Sequence, residues 1–366
     1  MKIIHVITAF GIGGAEKLLL DIINIQIKTN EVHLIYLKKI DDLIPLLDKR
    51  VKVKNLELSL FLAKKMRSYF KSVNPDIIHT HLGHADLIGI WSSRNLKSRV
   101  FCTMHNIYFQ RNLLDSVFFK IYKFLFFNAA KNIQVVSISK SVEQHVINTL
   151  KLPQNQSHLL YNAIPATLSA QRQNELRMSK PVIVDKQKVN LLFVGRLTKQ
   201  KSVDTLLKSI KVLKDNGYGN SFELLIVGDG VLRTSLEKMA VQLGINNLVR
   251  FEGEQSLVEN YYNVADVFIL PSIWEGFGIV VLEAFRANVA VIASNLEGPS
   301  ELINNNVNGI LFEPTNYLEL SDKISTLIKD SNFRQQLANE GYQTFSKKFQ
   351  IDIYVQELTK LYERRH

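Results

Sequence analysis

The sequence predicts an α/β protein made of two doubly wound parallel-sheet domains, each Rossmann-like. Three observations lead there. Short apolar runs alternate with helical stretches, the pattern of parallel strands buried on both faces. The alternation stops in a polar, irregular stretch at 168–188 and then starts again. At 366 residues, the chain is also about twice the length of a typical domain.

The first half opens with the strand KIIHVITA. GGAEKLLLDIINIQIK follows, with apolar residues at helical spacing, and then a second strand, EVHLIYL. DIIHTH, RVFCTMH and IQVVSIS read as further short strands. Residues 171–188 contain Pro181 and little apolar character, so they are expected to link an N-terminal domain, 1–170, to a C-terminal domain, 189–349. There the pattern restarts with VNLLFVGRL, SFELLIVGDG, LVRFEG, ADVFILPS and AVIAS, each leading into a helical segment.

Net charge is +11, and the positive excess lies wholly in the first 180 residues. Basic surfaces attract nucleic acid, anionic lipid or phosphorylated substrates; a solvated face with no partner is the alternative. No nucleic-acid motif or Lys/Arg-rich run is present, so no nucleic-acid partner is expected. The single cysteine, Cys102, permits no internal disulfide and suits a reducing cytosol. The N-terminus MKIIHVITAFGIGGAEK has too short an apolar part for a signal peptide and reads as a buried first strand. No run approaches the ~18 apolar residues that would cross a bilayer. The expectation is a cytoplasmic protein, peripheral at the inner face of the membrane.

Ligands of doubly wound sheets bind at the carboxyl ends of the strands. The residues suited to chemistry stand at those ends, and both halves are expected to contribute them to a central cleft. Gly13 and Gly14 lie in GIGGAEK, which misses the dinucleotide fingerprint: no third glycine stands at the required offset and the second strand ends in lysines. Two readings remain, a plain tight turn or a turn whose amides approach a phosphate or sugar. Neither a P-loop nor an Asp-x-Asp pair occurs. A phosphate leaving group would thus be stabilised by cations and amide dipoles, with no metal and no cofactor expected. Arg196 and Lys201, in VGRLTKQKS, supply such cations.

His79-x-His81-x2-His84 matches neither H-E-x-x-H nor a zinc-finger pair, so no metal site is assigned there. His105, at a strand end beside Asn106, is placed to hydrogen-bond a sugar hydroxyl. The aromatic- and lysine-rich segments 106–132 and 61–71 read either as helices lying on an anionic bilayer or as core helices whose lysines snorkel.

In SIWEGFGIVVLEAF, Glu275 and Glu283 flank a Gly-Phe-Gly turn. Were all of it helical, the two acids would lie ~80° apart around the axis and ~12 Å along it, too far for one small group to bridge.

Taken together, VGRLTKQKSVDTLL, LLIVGDGVLRTSLEKMAVQLGINNLVRFEGE and ADVFILPSIWEGFGIVVLEAFRANVAVIASNLEGPSELI resemble the donor half of the family 4 retaining glycosyltransferases of the GT-B fold. GIGGAEK, DIIHTHLGHAD, TMHN, VVSIS and YNAIP carry a weaker resemblance through the first half. By that resemblance Arg196 and Lys201 hold the diphosphate, and Glu283 binds the ribose hydroxyls. Glu275 sits against the transferred sugar with the amides of Phe277, Gly278 and Ile279. His105 reaches the sugar from the acceptor domain, Gly13 and Gly14 close over phosphate and acceptor, and a C-terminal helix at about 350–366 packs back on the first domain. Ser202 for the usual glycine after the lysine, Gly298-Pro299 and Ala163 depart from the family pattern.

The resemblance implies transfer of a hexose or N-acetylhexosamine from a nucleoside-diphosphate sugar, UDP favoured, to a glycolipid or lipid-diphosphate oligosaccharide hydroxyl in bacterial surface polysaccharide or lipopolysaccharide synthesis. A sugar-nucleotide epimerase of the same fold, or a non-catalytic nucleotide-sugar binder, is the alternative.

Overall fold

The protein is described by a computed structural model covering residues 1–105, 120, 123, 124 and 133–364. Apart from those three residues, segment 106–132 lies outside the described residues. The chain divides into two compact units, Met1–Pro165 with Ile351–His366, and Ala166–Gln350.

In the first unit β1 (Lys2–Ile7), β2 (Glu31–Tyr36), β3 (Lys52–Asn55), β4 (Ile77–His81), β5 (Arg99–Met104), β6 (Ile133–Ser137) and β7 (Ser157–Leu159) form one parallel sheet. Its order is β3-β2-β1-β4-β5-β6-β7. Helix Gly14–Gln26 covers the sheet with Leu18, Leu19, Ile22 and Ile23, an i, i+4 pattern doubled by its neighbours. Helix Leu62–Val73 buries Leu62, Met66 and Phe70 at four-residue spacing and ends in left-handed Asn74. The last helix, Ile351–Glu363, packs Tyr354, Val355, Leu358 and Leu361 with Ile3, Ile77 and Phe101. Truncating a core residue such as Leu358 to alanine is expected to cost about 2–5 kcal/mol.

The second unit repeats the plan. Strands β8 (Val189–Val194), β9 (Phe222–Val227), β10 (Val249–Gly253), β11 (Val267–Leu270), β12 (Ala290–Ser294) and β13 (Ile310–Phe312) lie in the order β10-β9-β8-β11-β12-β13. One apolar core joins the sheet to helix Val203–Leu213 through Leu206, Leu207 and Ile210. The polar stretch after 168 opens with a helix, Ala170–Met178, capped by Ser169 and tied to Glu259 by Arg172 at 2.6 Å. No residue of that helix is buried, which is why it has no apolar signature.

Three strands are invisible to the apolar-run criterion: β3, β7 and β13. Each is the outermost strand of its sheet, and two of them are only three residues long. Outer strands have one neighbour and tolerate polar residues, as the lysines of KVKN show. Strand order reverses direction between β1 and β4 in the first sheet and between β8 and β11 in the second. At such switch points the loops leave in opposite directions and open a crevice. No helix among the described residues is long and apolar enough to cross a membrane.

Candidate active site

The switch point of the second unit joins two loops from distant parts of the sequence. After β8 the chain runs through Gly195 and Arg196 into a tight turn, Lys199–Lys201. After β11 it runs from Ser272 to Gly278 and enters helix Ile279–Arg286. Backbone and side-chain hydrogen bonds tie the loops together: Ile273 N donates to the Gln200 carbonyl at 2.9 Å, and Gln200 Nε2 donates to the Trp274 carbonyl at 3.1 Å. Lys201 Nζ then donates to Glu275 Oε1, which also accepts from Ser272 Oγ at 2.9 Å.

The Lys201 and Glu275 side chains are only 16% and 10% exposed. An ion pair that shielded is costly to break by removing one partner, because the other charge stays desolvated. Arg196, one strand-end residue earlier, is exposed and makes no ion pair among the described residues. The site thus holds one cation already paired and one open to solvent.

Two glycines and one buried ring hold this geometry. Gly278, at φ +91°, starts the helix from the left-handed region that only glycine enters cheaply. The helix therefore begins abruptly at Ile279, with its first amides unpaired within the helix. Phe277 is buried, its ring 6.3 Å from that of Phe349, which anchors the loop from beneath. Gly298 lies so close that a Cβ there would meet Phe277 N at 2.9 Å and the Glu275 carbonyl at 3.0 Å. The sequence marks Gly298-Pro299 only as a departure from the family pattern; the structure makes Gly298 a brace for the acidic loop.

Ser202 departs from the pattern in an informative place. It is left-handed, at φ +47°, where glycine would be unstrained. Its hydroxyl bonds Thr205 Oγ1 at 2.8 Å and Asp204 Oδ1 at 3.3 Å, local contacts that offset the strain. Glu283 is the fifth residue of helix Ile279–Arg286, and its Oε2 accepts from the Tyr262 hydroxyl at 3.1 Å. Sequence reasoning missed Tyr262, because YYN before an apolar strand looks like ordinary core.

In the first unit, Gly13 is the extended N-cap of helix Gly14–Gln26, and Gly14 is its first residue. A Cβ on Gly13 would overlap the Glu16 carboxylate. That acid folds back over the helix start, and burial raises its pKa above the usual range. His105 follows β5, is buried, and has no partner for Nε2 among the described residues. Burial pulls its imidazole down to about 4, so it is neutral.

Beside it stands a histidine cluster that the sequence drew incorrectly. His84, grouped by spacing with His79 and His81, is exposed; His5 takes its place, paired in register with His79 across β1 and β4. Candidate ligand atoms of His5, His79 and His81 lie within 4.8 Å of one another. Hydrogen bonds already engage most of those nitrogens. His5 Nδ1 and His81 Nε2 are 3.1 Å apart, and His5 Nε2 donates to Gln26 Oε1 at 2.8 Å. His79 Nε2 lies 2.7 Å from Thr103 Oγ1, while its Nδ1 meets the Tyr362 hydroxyl of the last helix. A single histidine inside KIIHVI has no sequence signal of its own; only strand pairing reveals it.

The model for Glycosyltransferase Family 4 matches residues 12–168, and that for Glycosyl transferases group 1 matches residues 175–344. The GalNAc-alpha-(1->4)-GalNAc-alpha-(1->3)-diNAcBac-PP-undecaprenol alpha-1,4-N-acetyl-D-galactosaminyltransferase of Campylobacter jejuni is 27% identical over 375 residues, 99% of this chain and 98% of that one. An uncharacterized glycosyltransferase of Methanocaldococcus jannaschii is 26% identical over 318 residues, 84% of this chain and 81% of its own length. Anabaena HepE, solved in complex with UDP, superposes with a TM-score of 0.82 at 20% identity over 99% of both chains. With both halves matched by family models and both sheets matched in fold, the chain belongs to glycosyltransferase family 4 and has the GT-B fold.

Proposed function

We propose that this retaining glycosyltransferase moves a hexose or N-acetylhexosamine from UDP to a hydroxyl of a glycolipid or lipid-linked oligosaccharide in bacterial surface polysaccharide synthesis. The observation that carries the reading is the shielded Lys201–Glu275 pair beside exposed Arg196, at the β8/β11 switch point and next to the start of helix Ile279–Arg286.

As the glycosidic bond breaks, negative charge grows on the diphosphate. Arg196 grips it through parallel N–H donors, and the amides opening the helix at Gly278 and Ile279 add their dipole. Lys201, already desolvated, exchanges part of its bond to Glu275 for the phosphate. Glu275 is thereby turned toward the sugar, and Glu283 takes the ribose hydroxyls. In a front-face route the leaving phosphate itself removes the acceptor proton, and no side chain forms a covalent bond to the sugar. His105, neutral at working pH, hydrogen-bonds a sugar hydroxyl, and the Gly13–Gly14 turn closes on phosphate and acceptor.

A lipid-linked acceptor and a uridine donor are supported by relatives. The Campylobacter enzyme's name specifies a PP-undecaprenol substrate, and HepE was solved with UDP-glucose. A membrane surface is supported by the basic first half and by one edge of the first unit. There Leu58, Leu60 and Phe61 are 45%, 100% and 68% exposed, directly before Lys64 and Lys65 of helix Leu62–Val73. That helix hides its own apolar stripe, so these three residues are surplus to its core packing.

A donor screen scored by nucleoside diphosphate release, with membrane lipid extract as acceptor, tests the proposal. Release that needs both a UDP-sugar and the lipid extract is expected. Conversion of a sugar nucleotide with no acceptor present would instead mark an epimerase and end the transferase reading.

A further inference from the structure

Glu283 does not stand alone in its helix. Tyr262, the last residue of the short helix Glu259–Tyr262, is 3% exposed, and its hydroxyl donates to Glu283 Oε2 at 3.1 Å. The same hydroxyl lies 3.3 Å from the Val280 carbonyl, one turn earlier in helix Ile279–Arg286. The ring is held by Phe268 of β11, with centroids 5.7 Å apart. Burial keeps the phenol protonated, so it remains a donor at any working pH.

A carboxylate has about four lone-pair sites, and the Tyr262 hydroxyl takes one of them, on Oε2. What one fixed donor removes is rotation. With Oε2 tied to a ring that cannot move, the plane of the carboxylate is set before any ligand arrives. A vicinal diol is recognised by just such a fixed pair of oxygens, and preorganisation of this kind raises affinity by cutting the ordering cost.

We infer that Tyr262 is a positioning residue that sets the Glu283 carboxylate for the ribose diol, making the site select ribonucleotides over 2′-deoxyribonucleotides. The inference rests on the reading of Glu283 as the ribose ligand. It extends that reading to a residue in a different loop and to a specificity.

UDP and 2′-deoxy-UDP are the probes, titrated calorimetrically against the full chain, with GDP and 2′-deoxy-GDP as a second pair. Wild type should favour the ribo form. Tyr262→Phe keeps the ring and loses the hydroxyl; it should weaken the ribonucleotide about tenfold, the usual scale of one hydrogen bond to a charged group. The deoxy form should hardly change, so the ribo/deoxy ratio collapses toward one. Glu283→Gln should collapse the ratio as well.

If Glu283→Gln collapses it and Tyr262→Phe does not, the positioning role is overturned while the ribose reading stands. If neither variant moves the ratio, or wild type binds neither pair, the ribose reading fails and the role of Tyr262 falls with it. If Tyr262→Phe weakens the ribo and deoxy forms alike and leaves their ratio unchanged, Tyr262 acts by ordinary packing and the inference is overturned. Thermal melting of each variant confirms that the protein titrated is folded.

Discussion

The two switch points share a topology and differ in charge. Along β1/β4 the sheet carries neutral imidazoles, His5 and His79 within the strands and His81 at the end, with His105 just after β5. At β8/β11 it holds charges, the Lys201–Glu275 pair with Arg196 beside it. The same parallel-sheet plan thus carries two chemistries. Desolvated neutral rings suit uncharged hydroxyls, and preorganised charges suit a diphosphate that gains charge as the bond breaks. The difference teaches that the fold supplies the place and the side chains supply the task.

The comparison breaks most visibly at the charged end. Lys201→Ala should lower turnover by roughly 10²–10³-fold, the usual loss on removing one electrostatic partner of a transition state. Nucleoside diphosphate release at saturating donor measures it. Glu275→Ala should be comparably severe, since it removes the proposed sugar contact and strands Lys201 in a shielded position. Full turnover in Glu275→Ala would sink the role assigned to that acid.

Acid separates the units next. Burial lowers His5 and His105 to about 4 and holds His79 and His81 well below the usual histidine value, whereas the unfolded chain titrates near 6.5. The unfolded state therefore binds more protons, so stability present above pH 6.5 is lost as pH falls toward 4. His5 and His105 should each contribute roughly 3 kcal/mol to this loss. Every histidine lies in the first unit; the second has none. Hydrogen exchange followed by mass spectrometry should show the first unit opening near pH 5 while the second stays protected. Simultaneous opening of both would contradict the assignment.

The smallest effect concerns the surface. Leu60→Asp with Phe61→Asp should weaken binding to anionic vesicles about tenfold or more, since two apolar side chains leave the bilayer. Turnover on a soluble, short-chain acceptor should be unchanged. Equal binding of wild type to neutral and anionic vesicles would remove the role of the basic surface.

Much of this was legible in the residues themselves. The inner strands could be read because a strand buried on both faces leaves no room for polar residues, as FELLIV and VFIL show. Three of the four outer strands, β3, β7 and β13, could not, because KVKN is polar and exposed and the other two are only three residues long. Arg196, Lys201 and Glu275 were visible as charges just past strand ends, and Glu283 as an acid in the helix that follows. Tyr262, Gly298 and His5 were not: a buried tyrosine, a glycine and a histidine in an apolar run look alike whether they pack or position.

By itself, then, the sequence determined which residues stand at the ends of strands, because hydrophobic patterning and turn chemistry are local. Strand order was decided only by the tertiary structure. Two further strands, β9 and β10, separate β8 from β11 along the chain, yet β8 and β11 are neighbours in the sheet. That adjacency brings Lys201 to Glu275, 74 positions away, and the equivalent adjacency of β1 and β4 sets His5 against His79. Pairing of this kind is a contest among buried strands of nearly equal hydrophobicity, settled by the packing of the whole sheet and its helices rather than by any one segment.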